Sequence, residues 1–100
     1  MEKQAQFTNK KLLFDKNTDL PEFPGVYKFF NVKNEIIYIG KAKNIRNRVK
    51  SYLNIRKGES KRIAKLKSSI KYIETIITKT ESDALILEQG LISKKRPPYN

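Results

Sequence analysis

Two tyrosines in neighbouring extended stretches have a spacing that could aim both phenols at one point. Tyr27 lies in PGVYKFF at 24–30 and Tyr38 in IIYIG at 36–40, each with a glycine nearby. A phenol has an ordinary pKa of about 10, so it acts as a general base only where nearby cations favour phenolate. The structural alternative is that aromatic residues suit strands and glycines suit strand ends.

Two helical segments supply groups that tyrosines lack. Arg48 and Tyr52 are four residues apart, which puts a guanidinium fork suited to phosphate oxygen beside another phenol. Glu88 falls in the middle of an apolar helical stripe made by Ala84, Leu85, Leu87, Leu91 and Ile92. A carboxylate there is costly unless it is paired, protonated or bound to metal. We interpret it as functional; the alternatives are an ion pair with a lysine or a side chain extending to solvent.

The elements that must position these residues follow from periodicity and from the residues that end helices and strands. Asn44 is the predicted N-cap of the first helix, and Ile45, Val49 and Leu53 its buried stripe. Residues 1–19 are a predicted polar extension in which Leu12–Phe14 packs loosely, and residues 20–100 form the domain. The predicted order is β-β-α-α-β-α, with strands at 26–31 and 35–40, helices at 45–53 and 60–69, a strand at 71–79 and a helix at 81–95.

The turn between the first two strands decides whether the two phenols can share a site. An even number of loop residues puts Tyr27 and Tyr38 on the same face of the sheet, directly opposite for a four-residue loop and diagonal for a two-residue loop. An odd number is expected to separate them. The polar sequence NVKN at 31–34 predicts a tight turn.

The composition limits the chemistry that is available. One hundred residues, 38% of them hydrophobic, suffice for one domain with a modest core. The chain has no cysteine and no histidine, which excludes disulfides, thiolate zinc sites, a cysteine nucleophile and the commonest general base. Hydrolysis must therefore use Tyr, Lys, Asp or Glu, and a metal must be a hard cation held by carboxylate oxygen.

The formal charge of +12 indicates a polyanionic partner. Between residues 41 and 71 the sequence has many basic residues and a single acidic one, Glu59. This segment therefore lacks the glutamates that form ion pairs along a solvated helix, which favours a role in binding nucleic acid. No apolar run suits a membrane span or a signal peptide, and we expect a cytoplasmic protein. The candidate DNA-binding residues are Lys41, Lys43, Arg46, Arg48, Lys50, Lys61, Arg62 and Lys65.

The ordered set of motifs resembles the GIY-YIG nuclease domain, in the form found at the N-terminus of UvrC-type proteins of bacterial nucleotide excision repair. The likeness covers about residues 20–100 and is carried by PGVY, IYIGKAKNIRNRVKSYL, ALILEQGLI and RPPYN. It implies an α+β fold with a small three-stranded antiparallel sheet flanked by helices. Such a fold agrees with the element order predicted from the residues themselves.

The resemblance also implies a set of site residues. Gly25 and Gly40 stand at the motif glycines, Arg48 would contact phosphate, Glu88 would be the single metal ligand and Asn100 would help to shape the site. Whether Tyr27 or Tyr38 is the general base stays open. The implied catalytic set is Tyr27, Tyr38, Lys41, Arg48, Tyr52, Glu88 and Asn100.

The implied reaction is metal-dependent hydrolysis of a DNA phosphodiester bond on the 3′ side of a lesion, with one Mg²⁺ or Mn²⁺. The implied partners are double-stranded DNA and, for a longer protein that contains this domain, UvrB with UvrA-loaded damaged DNA. The isolated domain is expected to be a monomer. The alternatives are a stand-alone nuclease of the same family, a fusion to another nuclease, or a catalytically silent DNA-binding module. Gly90 departs from the family, which usually has asparagine there; a glycine inside a helix costs up to about 1 kcal/mol relative to alanine.

Overall fold

A four-stranded antiparallel sheet is the centre of the computed structural model, which describes residues 10–54 and 56–100. The strand order across the sheet is β1-β4-β2-β3. The strands are β1 (Leu12–Leu13), β2 (Gly25–Phe30), β3 (Ile36–Ala42) and β4 (Tyr72–Ile77), and the helices are α1 (Ile45–Lys50), α2 (Lys61–Ser69) and α3 (Glu81–Lys95). None of the helices in these residues is long and apolar enough to span a bilayer.

The prediction of three strands is wrong by one strand. Leu12 and Leu13 pair with Ile73 and Tyr72 of β4, so the segment predicted to pack loosely adds an edge strand. A two-residue strand carries no alternation that a sequence pattern could show.

Side-chain oxygens cap the three helices. Asn44 accepts from the backbone N–H of Asn47, as predicted, and Ser60 and Thr80 do the same at the starts of α2 and α3. The predicted helix 45–53 is shorter in α form, because residues Ser51–Leu53 tighten into a 3₁₀ turn. Leu53, predicted on the buried stripe, is consequently 37% exposed.

The two faces of the sheet are covered by different helices. On one face, Tyr27, Phe29 and Ile73 pack against Ile45 and Val49 of α1. On the other face, Val26 and Ile39 pack beneath Ala84 of α3, with partly buried Leu87, Leu91 and Ile92 around them. Helix α3 contacts β3 and β2 along this second face. Leu85, predicted on the apolar stripe, is 39% exposed.

The hairpin between β2 and β3 has an odd loop, yet it keeps both phenols on one face. Asn31 and Glu35 pair through their backbones, which leaves three residues in the loop, and Asn34 there has a φ of 67°. A β-bulge then shifts the register, from Phe30 opposite Ile36 to Phe29 opposite Tyr38. The extra residue in β3 restores the parity that the odd loop would have broken. The expectation that an odd loop separates the tyrosines is therefore wrong.

Candidate active site

The two motif glycines leave no room for a side chain. Tyr27 is directly opposite Gly40 in the β2–β3 ladder, and its phenol ring lies across that glycine. A Cβ at Gly40 would lie 2.4 Å from Cζ and Oη of Tyr27. A Cβ at Gly25 would lie 2.2 Å from the backbone oxygen of Ile76. Gly40 therefore makes room for the Tyr27 ring, and Gly25 makes room for the backbone of β4.

Gly40→Ala is expected to destabilise the protein by about 1–3 kcal/mol, because Tyr27 is 1% exposed and its ring has no room to move aside. The measurement is the free energy of unfolding in urea. Gly90→Ala is the matched control: nothing lies within 4 Å of an added Cβ, and the change is expected to stabilise α3 by up to about 1 kcal/mol. Equal stability of Gly40→Ala and wild type would contradict the steric role.

Three tyrosines converge on the face that carries α1. The hydroxyls of Tyr27 and Tyr52 are hydrogen-bonded at 2.9 Å. The ring centroids of Tyr27 and Tyr38 are 6.2 Å apart, as are those of Tyr38 and Tyr52. The Arg48 guanidinium lies 5.6 Å from the centre of the Tyr52 ring, a cation–π arrangement. The structure thus brings together four of the predicted site residues.

The phenols differ in exposure and therefore in proton affinity. Burial raises the pKa of Tyr27 far above its ordinary value, with a further increase from neighbouring Tyr52. Burial also raises the pKa of Tyr38, to about 12, while the Arg48 guanidinium opposes that rise. Tyr38 is the less buried of the two. Its phenol is accordingly the easier to ionise and the easier for water to reach.

An open groove joins Tyr38 to α3. This feature, which we call the Glu88 groove, has a volume of about 950 Å³ and is lined by residues that include Tyr38, Lys41, Arg48, Glu81 and Glu88. Tyr27 does not line it. Lys41 Nζ lies 3.4 Å from a carboxylate oxygen of Glu81, which is on the same side of α3 two turns before Glu88. Glu88 and Tyr38 line the same groove, and the charge of Glu88 contributes to the raised pKa of Tyr38.

The Glu88 carboxylate fits the requirements of a divalent cation site. It is half-buried, and no lysine or arginine of the described residues forms an ion pair with it. Nor do residues 10–54 and 56–100 contain a cluster of three metal-ligating side chains. Mg²⁺ keeps several waters and binds through one or two carboxylates together with substrate phosphate. A single glutamate in an open groove that also contains Arg48 matches that mode of binding.

Asn100 lies at the outer edge of β3. Its side-chain amide donates to the backbone oxygen of Ile39 at 2.7 Å and accepts from the backbone N–H of Ile39 at 2.9 Å. The backbone N–H of Tyr99 donates to the oxygen of Ile37 at 3.1 Å. These bonds lie on both sides of Tyr38 and hold the backbone segment that carries its phenol.

The predicted DNA-binding residues do not all face the site. Lys41, Lys43 and Arg48 line the Glu88 groove. Arg46 points elsewhere: its guanidinium pairs with Glu22 at 3.2 Å and Asp19 at 3.7 Å, and its Nε donates to the backbone oxygen of Leu20.

On α2, the three candidates have different surroundings. Arg62 donates to the backbone oxygen of Pro98 at 2.9 Å. Lys61 and Lys65 are exposed and line a separate depression of about 770 Å³. The remaining candidate, Lys50, is exposed at the end of α1.

Sequence reasoning did not assign to the site four polar residues that line the groove. Glu81 is the most important, because it holds Lys41 close to the site. Its spacing of seven from Glu88, two helical turns, was the signal that could have identified it. The others are Asn44, Asn47 and Ser51.

The fold is that of a GIY-YIG domain. Residues 23–100 match the family model of the UvrC-like GIY-YIG domain. The chain belongs to this family.

Curated relatives agree with that assignment. UvrABC system protein C of Bdellovibrio bacteriovorus is 51% identical over 86 residues, which are 86% of this chain and 14% of the relative. The protein of the same name from Chlorobaculum tepidum is 45% identical over 93% of this chain and 15% of its own length. The chain therefore spans about one seventh of the curated relatives that it matches.

A solved structure matches at the level of the domain. The GIY-YIG N-terminal endonuclease domain of UvrC from Thermotoga maritima, bound to its catalytic divalent cation, magnesium, is 46% identical. The match has a TM-score of 0.70 and covers 81% of this chain and 86% of that one. Point mutants of that domain, three of them tyrosine to phenylalanine, are also bound to the divalent cation.

Proposed function

We propose that this chain is a divalent-metal-dependent endonuclease domain that hydrolyses one phosphodiester bond of damaged DNA, on the 3′ side of the lesion, in nucleotide excision repair. The observation that carries the proposal is the Glu88 groove, where a carboxylate with no ion-pair partner in residues 10–54 and 56–100, a guanidinium and a phenol line the same space. Membership of the UvrC-like family supports the repair role.

Glu88 would hold the cation, which is Mg²⁺ or Mn²⁺. When bound, the cation supplies Lewis-acid stabilisation of charge on the reacting phosphate. The tyrosine-to-phenylalanine mutants of the Thermotoga maritima domain are bound to the cation, which supports a site built on the carboxylate rather than on a phenol.

Arg48 binds and orients the phosphate. Its planar fork matches two phosphate oxygens, and it lies beside Tyr38 in the groove. Lys41 adds a second cation at the same wall once phosphate competes with Glu81 for its ammonium group. Both side chains stabilise the negative charge that develops on the pentacovalent phosphate.

Tyr38 is the general base in this proposal, because it lines the groove whereas Tyr27 is buried. Its phenolate takes a proton from the attacking water, the water oxygen forms a bond to phosphorus, and the bond from phosphorus to the leaving sugar oxygen breaks. Tyr27 and Tyr52 are positioning residues: their mutual hydrogen bond fixes the ring that neighbours Tyr38.

The substrate is double-stranded DNA, and the exposed basic residues of α2 would contact its phosphates. We expect Lys61→Glu with Lys65→Glu to weaken binding equally for all sequences, and to reduce the slope of log K against log salt by about 2, one for each lost phosphate contact. Arg62 is left unchanged because it bonds to Pro98.

The measurement is a fluorescence-anisotropy titration at several salt concentrations. Lys94→Glu with Lys95→Glu is the matched control, since it changes the net charge equally at exposed positions of α3 that line none of the cavities described above. Equal affinities of the two double variants would show that only net charge matters and would remove α2 from the DNA surface.

The partners in the complete protein are UvrB and the damaged DNA that UvrA loads, and the reaction takes place in the cytoplasm. The test of the whole proposal is incision of a duplex with one lesion, in a reaction reconstituted with UvrA, UvrB and the full-length protein that contains this chain. We expect a nick on the 3′ side that requires Mg²⁺ or Mn²⁺ and disappears with EDTA. DNA binding without any nick would favour the silent DNA-binding module.

A further inference from the structure

A second cavity opens beside the Glu88 groove, on the side of α2. It has a volume of about 350 Å³, and we call it the tyrosine cleft because Tyr38, Tyr52 and Tyr99 line it. Arg48 lines both the cleft and the Glu88 groove. A phosphate held by Arg48 therefore lies at the junction of the two, and the nucleoside attached to it is within reach of the cleft.

The walls of the cleft are apolar and its rim is cationic. Ile63 and Leu66 of α2 complete the apolar surface, and Ile63 is 45% exposed on a helix that is otherwise strongly basic. Arg56 and Arg62 contribute the cations. The Arg62 guanidinium is held in place by the oxygen of Pro98 and lies 5.3 Å from the centre of the Tyr99 ring.

The acid that borders the cleft does not oppose an anionic strand. Glu59 is paired with Lys67, which also donates to the backbone oxygen of Asn54 at 2.7 Å. The side chains of Glu59 and Lys67 are only 9% and 10% exposed. Because the charges of Glu59 and Lys67 cancel, Arg48, Arg56 and Arg62 give the cleft a positively charged rim above its apolar walls.

We propose that the tyrosine cleft accepts one unstacked nucleobase of the strand that is cut, next to the phosphate bound by Arg48. This inference rests on the proposed function, because it needs DNA in the Glu88 groove. Free phosphate would use only the rim of the cleft. A nucleobase uses the aromatic and aliphatic walls as well, since proteins that hold unstacked bases combine aromatic side chains with a cationic track.

The consequence is selectivity for DNA in which a base has already left the stack. In a paired duplex, filling the cleft requires free energy to unstack a base, whereas in a distorted duplex a base is already unstacked. The cleft would thus contribute a preference for distorted DNA without reading its sequence, because every base has a π-face.

The test compares three duplexes that differ at one position: fully paired, with one extra unpaired nucleotide, and with an abasic residue in place of that nucleotide. Binding of the whole chain is measured by anisotropy in EDTA, so that no strand is cut. We expect the unpaired base to bind roughly tenfold tighter than the abasic residue, as stacking of one base on aromatic side chains provides. Equal affinities for these two duplexes would overturn the inference.

A variant that fills the cleft gives an independent measurement. Ile63→Trp is expected to abolish the preference for the unpaired base and to leave binding of the fully paired duplex unchanged. Ala64→Trp is the matched control, because Ala64 is the exposed next residue and does not line the cleft. Retention of the preference by Ile63→Trp, with its helical circular dichroism intact, would refute the cleft.

The two proposals fail in different ways. Loss of the base preference with normal paired-duplex binding and normal incision overturns the cleft alone. Absence of both DNA binding and incision overturns the proposed function, and the cleft with it.

Discussion

Glu88→Gln is expected to abolish incision while leaving folding and DNA binding intact. The variant keeps the size of the side chain but replaces one carboxylate oxygen with an amide NH₂, which removes the charge that would hold the cation. Several kcal/mol of charge stabilisation would be lost, so incision should slow by roughly a thousandfold or more. Folding should survive, because the carboxylate is half-buried and has no ion-pair partner among the described residues. Binding depends on the basic surface instead.

The measurement pairs an anisotropy titration with an incision assay on the same lesion-bearing duplex. Glu81→Gln is the control, since it removes a carboxylate from the same groove but one that is engaged with Lys41. We expect it to slow incision far less than Glu88→Gln, because it loosens only the position of Lys41. Normal incision by Glu88→Gln would contradict the metal role, and joint loss of folding and binding would make Glu88 a structural residue.

Tyr38→Phe is expected to lower the incision rate by roughly 10²- to 10⁴-fold, the range for loss of a general base. The pH profile gives a sharper test. Because burial raises the pKa of Tyr38 to about 12, the phenol is almost fully protonated at neutral pH. The phenolate fraction, and with it the wild-type rate, rises about tenfold for each unit of pH below that pKa. The variant should lose this dependence.

Tyr27→Phe is the matched comparison. It removes a buried hydroxyl that bonds to Tyr52 and should cost about 1 kcal/mol of stability. Its rate should fall less than that of Tyr38→Phe, and its pH profile should keep the wild-type slope. The reverse pattern, with the slope lost only in Tyr27→Phe, would assign the base to the buried tyrosine.

The elements that carry long periodic patterns were predictable from the sequence. Helix α3 begins at Glu81 and ends at Lys95, as its apolar spacing and the following Pro97 predict. The Asn44 cap was predictable for a similar reason, since its side chain acts on the backbone of its own neighbours.

Features that depend on contacts distant in sequence were not predictable. The β1 strand exists only because β4 offers it a partner, and the bulge in β3 is a matter of register that no local pattern encodes. Arg46 belonged to a basic run but pairs with acids near residue 20, which adjoin α1 only in the folded chain. Charge is visible in a sequence, whereas the direction in which a charged side chain points depends on tertiary structure.

The bonds between the C-terminal residues and β3 also bear on self-association. β3 is an edge strand, and the unpaired backbone groups of such strands are templates for the strand of another molecule. The amide of Asn100 occupies both backbone groups of Ile39, and Tyr99 occupies the oxygen of Ile37. These bonds occupy backbone groups that could otherwise pair with a strand of a second molecule. At the opposite edge of the sheet, β1 is only two residues long. Removing the Asn100 amide would uncover part of this edge, so we expect the residue that supports Tyr38 also to limit pairing of the sheet with a second copy.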